Sequence, residues 1–196
     1  MGLTLTGTVF GPSLMSEVHA PVATTVLPAK SFSSRVSTPI TRLPLANIPD
    51  DVFDKIMASN IKSNLWLCNR AIPNMAARGG GSVIIISSIG GIRGTEVLGA
   101  YGISKAADFA LARNLACEWG PKNVRVNCIA PGLVKTDFAR ALWENEEMVK
   151  RRNAQTPLRR IGVPDEIGGV AAFLAGPAAS FITGQVIVAD GGVTIA

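Results

Sequence analysis

The hydrophobic residues of this chain follow helical and strand-like spacings in turn from residue 50 onward. Over 50–77 the apolar positions recur every three or four residues, which predicts one long helix that Pro73 bends or interrupts. An apolar run at 82–87 has no polar alternation, so it predicts a short strand buried on both faces, as in a parallel sheet. The apolar stripe of the long helix comprises Phe53, Met57, Ile61, Leu65, Cys68, Ile72 and Met75.

Further elements continue this alternation. A helix is predicted over 101–119, ended by the Gly-Pro pair that follows it, and another begins at Pro164 with acidic residues in its first turn. Apolar runs at 123–129 and 185–189 predict two more strands. Strands that alternate with helices are typical of an α/β protein, so we predict a doubly wound parallel sheet.

Residues 1–46 do not share this pattern. They are rich in Ser, Thr, Pro and Val and show no clear period. We therefore interpret 1–46 as an atypical N-terminal segment and 47–196 as the regular part of a single domain.

The chain contains a single tyrosine, Tyr101, and its surroundings indicate acid–base chemistry. On a helix, Tyr101 and Lys105 lie one turn apart on the same face, and a nearby ammonium favours the phenolate over the phenol. Ser88 follows the predicted strand 82–87, where its hydroxyl can hold a substrate oxygen against the phenol. These groups suit a carbonyl/alcohol interconversion. The one histidine, His19, gives little support for a Ser-His-Asp hydrolase.

Four residues resemble the Asn-Ser-Tyr-Lys tetrad of the short-chain dehydrogenase/reductase family: Asn60, Ser88, Tyr101 and Lys105. The resemblance implies a Rossmann-like fold and an NAD(P)-dependent oxidoreductase in which Tyr101 protonates the carbonyl oxygen as hydride arrives. It further implies that Lys105 binds the nicotinamide ribose, Ser88 polarises the substrate oxygen and Asn60 holds a water that links the lysine to solvent. Ser87 competes for the serine role, but the thirteen-residue spacing to Tyr101 favours Ser88.

Downstream segments extend the resemblance over roughly residues 47–196. Residues 127–136 resemble the family's Pro-Gly segment, and 183–185 and 190–192 resemble its C-terminal signature. Residues 130–140 are most similar to NADPH-dependent carbonyl/retinal reductases, with 3-oxoacyl-carrier-protein reductase-like enzymes as a second similar branch. The implied cofactor is NADP or NAD, with NADP favoured by the branch alone, and the implied substrate is a small carbonyl compound or alcohol. Four residues are implied to hold the nicotinamide: Pro131, Gly132, Val134 and Thr136.

Two surfaces keep more than one interpretation. The apolar faces of 52–75 and 103–115 serve as core only, or they also form the four-helix dimer interface that the resemblance implies, so we expect a homo-oligomer. Residues 137–160 mix large apolar side chains with charges, which suits either a mobile lid over an apolar substrate or an ordinary amphipathic helix.

The composition argues against several other classes. Of the 196 residues, 47% are hydrophobic and 17% charged, as expected for a globular domain, and no apolar run approaches the roughly 18–20 residues that cross a bilayer. The three cysteines lack metal-ligand spacing, so we expect reduced thiols, no metal site and a cytoplasmic protein. The net charge of +5 comes mostly from dispersed residues. The one basic cluster, 150–152 with 159–160, indicates a solvated loop or a site for a cofactor 2′-phosphate rather than nucleic acid.

Two family motifs are missing from the sequence. Neither the Thr-Gly-x-x-x-Gly-x-Gly segment, which would cradle the cofactor pyrophosphate, nor an Asn-Asn-Ala-Gly strand precedes Asn60. We therefore expect an N-terminally incomplete Rossmann-like domain, with 1–46 as a truncated or frameshifted cofactor half and 47–196 as the catalytic part. The hypothetical frameshift would span about 10–42. Residues 31–41, read one base earlier with permissible codons, can encode a strand of the family's type. The rival hypothesis is a non-catalytic family member that acts through helix-mediated oligomerisation.

Overall fold

The computed structural model describes residues 23–27 and 43–196, which form a parallel sheet with helices on both faces. The strands are β1 (Ala23–Leu27), β2 (Gly81–Ile86), β3 (Val124–Pro131) and β4 (Val186–Ala189). The α-helices are α1 (Asp50–Met57), α2 (Ser63–Ala77), α3 (Gly99–Trp119), α4 (Arg140–Trp143), α5 (Glu146–Gln155) and α6 (Pro164–Ala175). Short 3₁₀ turns lie at Leu45–Asn47, Ile89–Gly91, Gly120–Lys122, Asp137–Ala139 and Pro177–Ala179.

The four strands pair in chain order, β1-β2-β3-β4, and every pairing is parallel. The two central strands are buried along almost their whole length, which explains their unbroken apolar sequence. The predicted strands 82–87, 123–129 and 185–189 are confirmed to within two residues at each end.

Alternate residues of the central strands divide the interior into two cores. Val83 and Ile85 pack with α2 and α3, including Phe109, whereas Ile84 packs with Leu174 of α6. Both faces of the sheet are therefore covered by helices, and the predicted doubly wound parallel arrangement is confirmed. The carboxyl ends of all four strands lie at one edge, where sheets of this kind bind their ligands.

β1 is a strand that the sequence pattern did not predict. Its backbone pairs with β2 from Ala23 opposite Gly81 to Leu27 opposite Ile85. Its two threonines and a valine favour a strand, but five residues are too few to show a period. The boundary at 46/47 stays a prediction. The frameshift hypothesis for about 10–42 concerns residues that, apart from 23–27, lie outside the described ones.

The long predicted helix over 50–77 is confirmed, with a local widening that was not predicted. α1 and α2 run on through a π-helical segment, Ala58–Lys62, and Pro73 lies inside α2 without ending it. The helix predicted over 101–119 is also confirmed, beginning two residues earlier, as is the helix that begins at Pro164. Within the described part of the chain, no helix combines the length and apolarity needed to cross a bilayer.

The predicted apolar stripe of the long helix is wrong at Leu65. This residue is 37% exposed, while its neighbour Asn64 is buried. The buried line of the helix passes through Asn60 and Asn64 before it reaches Cys68, because both amides find polar partners in the interior. A stripe defined by apolar residues alone could not reveal this.

Candidate active site

The two serines after β2 have different roles in the structure. Ser87 is buried, and its hydroxyl donates to the Lys105 carbonyl oxygen at 2.9 Å. Ser88 is half-buried and begins the 3₁₀ turn Ile89–Gly91, where its Oγ accepts the Gly90 N–H at 3.0 Å. The Ser88 hydroxyl hydrogen therefore remains for another acceptor. This arrangement favours Ser88 over Ser87 as the serine that meets a substrate.

Glycines allow the loop after β2 to approach α3 closely. A Cβ placed on Gly90 would lie 3.1 Å from Cε1 of Tyr101 and 3.4 Å from Oγ of Ser88. A Cβ on Gly91 would lie 2.7 Å from the backbone of Lys105, and one on Gly102 would lie 2.8 Å from the Gly90 carbonyl oxygen. The Tyr101 ring and the Ser88 hydroxyl thus flank the same point, and side chains on this loop would separate them.

Lys105 lies one helical turn after Tyr101, as predicted, and its ammonium is almost completely buried. Nζ is 5.9 Å from the centre of the Tyr101 ring. It donates to the Ile86 carbonyl oxygen at 3.3 Å and to Oδ2 of Asp108 at 3.1 Å. Burial of an ammonium is costly without an opposite charge, and Asp108 supplies that charge.

Asn60 lies in the π-helical segment, and neighbouring side chains account for the widened turn. The Ser63 N–H donates to the Ala58 carbonyl oxygen, five residues back. Ser63 Oγ donates to the Ser59 carbonyl oxygen at 2.6 Å, and Asn64 Nδ2 donates to the Asn60 carbonyl oxygen at 2.8 Å. Side chains that donate hydrogen bonds to backbone carbonyls in this way compete with the backbone hydrogen bonds of the α-helix and weaken them. π-Bulges are often found at functional sites.

The Asn60 side chain contacts the serine that precedes Lys105. Its Nδ2 donates to Ser104 Oγ at 2.9 Å, and Ser104 Oγ in turn donates to the Tyr101 carbonyl oxygen at 2.7 Å. Asn60 and Ser104 are both buried. The structure therefore brings all four predicted tetrad residues into one region, with Asn60 linked to α3 through Ser104.

Asp108 is the main residue of this region that the sequence reasoning missed. Its carboxylate is buried and accepts from Asn64 at 2.8 Å and from Lys105 at 3.1 Å. Burial raises the pKa of the Asp108 carboxyl above its usual range, while the Lys105 ammonium and the Asn64 amide oppose the rise. A sequence signal was present, since Asp108 is the one charged residue between Lys105 and Arg113 in an otherwise apolar stretch.

The predicted nicotinamide segment follows β3. A Cβ on Gly132 would come within 2.9 Å of the Asp190 backbone, so Pro131-Gly132 packs against the residue that follows β4. Val134 forms a parallel β-bridge with Gly162. The residues before and after Val134 make the two backbone hydrogen bonds of this bridge to Gly162, at 3.0 and 2.9 Å. The Val134 N–H and C=O therefore point away from that bridge. Thr136 accepts the Ala139 N–H at 3.4 Å and keeps its hydroxyl hydrogen for another acceptor.

This edge of the sheet fits the nicotinamide end of a dinucleotide. An ammonium has three N–H donors, and within the described residues Lys105 directs one to Asp108 and one to Ile86. The third can bond a ribose hydroxyl.

Among the described residues, no cluster of three or more metal-ligating side chains occurs.

A groove beside the site contains part of the basic cluster. Arg160 forms two hydrogen bonds with Glu166, so its guanidinium is already paired. Lys135 lies over the Trp143 ring, 5.0 Å from its centre. The residues that line the groove are Ile89, Leu133, Arg152, Thr156, Arg160, Ile161, Asp190 and Val193.

The fold and the site together define a Rossmann-like α/β protein with serine, tyrosine and lysine side chains at its ligand-binding edge. A family model described as Enoyl-(Acyl carrier protein) reductase matches residues 35–194. Over 148 residues the chain is 44% identical to Dehydrogenase/reductase SDR family member 4 of Bos taurus, covering 76% of this chain and 53% of that relative.

Two solved structures are similar over most of the chain. A gluconate 5-dehydrogenase from Burkholderia cenocepacia in complex with NADP and tartrate gives a TM-score of 0.76 at 30% identity, covering 79% of this chain and 61% of that one. A 4-hydroxyisoleucine dehydrogenase complexed with NADH gives a TM-score of 0.76 at 28% identity, covering 80% of this chain and 65% of that one.

The chain belongs to the short-chain dehydrogenase/reductase family, a family of oxidoreductases. The resemblance predicted from the sequence motifs is thereby confirmed. The chain spans about half the length of the bovine relative. The gluconate 5-dehydrogenase structure holds NADP, and the 4-hydroxyisoleucine dehydrogenase structure holds NADH.

Proposed function

We propose that this chain interconverts a ketone or an aldehyde with an alcohol, with NADP or NAD as the hydride carrier. The observation that carries the proposal is the convergence of the Tyr101 ring and the Ser88 hydroxyl on Gly90, with the buried Lys105 ammonium behind the ring. A phenol, a hydroxyl donor and a cation at the carboxyl edge of a parallel sheet are the groups that a carbonyl reduction requires.

The side chains divide the reaction among them. The reduced nicotinamide, when bound, supplies a hydride to the carbonyl carbon and is oxidised. Tyr101 gives its phenolic proton to the carbonyl oxygen as the C=O π bond breaks, so that one C–H and one O–H bond form. Ser88 donates its remaining hydrogen to the same oxygen and orients the substrate, because its Oγ already accepts from Gly90.

The proposed cofactor contacts come from α3 and the segment after β3. Lys105 offers its third N–H to the nicotinamide ribose, and Val134 and Thr136 offer backbone and hydroxyl groups to the carboxamide. Pro131 and Gly132 shape the turn that presents them. Asn60 supports the lysine from the long helix.

The remaining assignments are proposals of the same kind. A homo-oligomer is supported by three exposed apolar residues of α2, Leu65, Trp66 and Leu67, together with Ile103 of α3. A small-molecule substrate is supported by the family to which the chain belongs, and a carbonyl group is supported by the Tyr101 ring and the Ser88 hydroxyl, which flank the same point. A cytoplasmic location is supported by three free cysteines.

The test is a titration of the full chain with NADPH and with NADH, followed by reduction of small aromatic aldehydes and ketones. We expect saturable binding of at least one cofactor. Tyr101→Phe should lower turnover by about 10²–10⁴-fold, because it removes the proton donor and keeps the ring. Ser180→Ala, which removes an exposed hydroxyl outside the site, is the control.

Two results would contradict the proposal. Turnover that does not change in Tyr101→Phe would exclude the tetrad as the source of the proton. A folded protein that binds neither cofactor at about millimolar concentration would exclude the hydride carrier and favour a non-catalytic family member.

A further inference from the structure

Two polar contacts join the long helix to α3, and they lie one turn apart. Asn60 bonds Ser104, and Asn64 bonds Asp108; the residues of each pair are 44 positions apart in the chain. All four residues are buried. The two contacts therefore lie one helical turn apart between two helices that run side by side in the same direction.

Asn64 connects the two contacts through hydrogen bonds of its own. Its amide nitrogen donates to the Asn60 carbonyl oxygen at 2.8 Å and to Asp108 Oδ1 at 2.8 Å. Asp108 Oδ2 then accepts from Lys105 at 3.1 Å. A continuous chain of protein groups thus leads from the Asn60 carbonyl to the Lys105 ammonium.

A buried charged network of this kind contributes little to the free energy of folding. A buried ion pair often contributes less than apolar residues of the same size, because desolvation of the two charges offsets their attraction. Around Asp108, apolar packing was possible, since Cys68, Phe109 and Cys128 surround this part of α3 in the core. The carboxylate therefore calls for an explanation other than packing.

We infer that Asp108 is a positioning residue for the proposed reaction: with Asn64 it holds the Lys105 ammonium beside Tyr101 and supplies the opposite charge in a buried site. The inference rests on the proposed function. Asp108 touches neither the substrate nor the cofactor, and it acts through Lys105. The ionisable or polar groups that face its carboxylate are Asn64 and Cys68 from α2, Ser87 after β2, Lys105 from α3 and Cys128 from β3.

The experiment compares the pH dependence of turnover in the wild type and in Asp108→Asn, which keeps the shape and removes the charge. Removal of an opposite charge from beside an ammonium disfavours the charged form. We expect the alkaline limb of the kcat/KM profile to move to lower pH by about one unit, which is about a tenfold loss of kcat/KM on that limb. Asp54→Asn, an exposed acid of α1, should leave the profile in place.

Asp108→Glu separates the charge from the shape. It restores the negative charge at a different length, so it should return the alkaline limb towards its wild-type position even if turnover stays reduced. If Asp108→Asn does not fold, Asn64→Ala removes one partner of the carboxylate and should shift the limb in the same direction by a smaller amount.

The outcomes distinguish the inference from the proposed function. An active wild type with an unshifted profile in Asp108→Asn, or in Asn64→Ala where the first variant is unfolded, overturns the positioning role and leaves the proposed function intact. A wild type without cofactor-dependent turnover overturns the proposed function, and the positioning role falls with it.

Discussion

Arg160 and Glu166 join the segment after α5 to the start of α6 through two parallel hydrogen bonds, Nη1–Oε2 at 2.9 Å and Nη2–Oε1 at 2.6 Å. Glu166 Oε2 also accepts the Val163 N–H at 2.9 Å, so the same carboxylate caps the first turn of α6. The Arg160 guanidinium and the Val163 N–H lower the pKa of Glu166 to about 2.

Glu166→Gln should therefore lower the melting temperature near neutral pH and have a smaller effect in acid. The folded pKa lies below the usual carboxyl value of 4.5, so this stabilisation is present above that value and is lost as the pH falls towards 2. Thermal unfolding between pH 7 and about 3 measures it. Asp165→Asn in the same turn is the matched control, and a difference from wild type that is constant over pH would contradict the assignment.

Gly90→Ala should reduce turnover while the fold persists. The added Cβ would lie 3.1 Å from the Tyr101 ring and 3.4 Å from Ser88 Oγ, so the ring would have to move by a few tenths of an ångström. We expect a loss of roughly tenfold or more in kcat, since small errors in the placement of reacting groups are costly. Gly94→Ala is the control, because a Cβ there meets nothing within 4 Å. Equal kcat values in the two variants would show that this contact does not place the reacting groups.

The stability that the Asp108 carboxyl contributes should change with pH in the opposite direction to the stability that Glu166 contributes. The comparison of Asp108→Asn with the wild type tests this. The pKa of the Asp108 carboxyl is raised by burial in the folded protein, so the folded form holds its proton more tightly than the unfolded chain does. The resulting stabilisation of the wild type is complete below the usual value of 3.8 and is lost as the pH rises through the folded value.

Urea or thermal unfolding from about pH 4 to neutrality measures this difference. The difference in stability should change in favour of Asp108→Asn as the pH rises. Asp54→Asn serves again as the exposed control. A difference that moves in favour of the wild type with rising pH would refute the assigned direction.

One of the three thiols should react rapidly in the native protein. Cys117 is exposed on α3, whereas Cys68 and Cys128 are buried. Burial, with the Asp108 carboxylate as a second cause, raises the pKa of Cys68 to about 12 and also raises the pKa of Cys128, which suppresses their thiolates. A chromogenic disulfide should therefore titrate one thiol before unfolding and three after it. Cys117→Ser should abolish the native reaction, and a second fast thiol would contradict the burial of the core pair.

The sequence was sufficient for the elements whose signals are local. The apolar run of β2 and the proline that begins α6 report on their own neighbourhoods, and both elements lie where they were predicted. The tetrad order predicted a site at the end of β2, and the structure brings Ser88, Tyr101 and Lys105 together there. Their catalytic roles stay predictions.

The buried polar network could not be predicted, because each of its residues depends on a distant partner. Asn64 next to Leu65 looks like the solvent side of an amphipathic helix until Asp108, 44 residues later, lies opposite it. In the same way, Asn60 is expected to face solvent or to disturb its helix, and Ser104 is what makes its burial favourable. Hydrophobic periodicity treats such residues as exposed and therefore assigns the wrong buried line.

The widened turn at Ala58–Lys62 accommodates one residue more than a regular α-helical turn does. Removing one residue from this turn would therefore let it close to a regular α-helix while α1 and α2 keep the faces that they now turn to the interior. Ile56, which is buried, would stay in the interior, whereas a deletion in a regular turn of α2 would rotate the preceding part of the helix by about 100°. Deletion of Ala58, an exposed residue of the widened turn, should therefore be tolerated better than deletion of an exposed residue of α2.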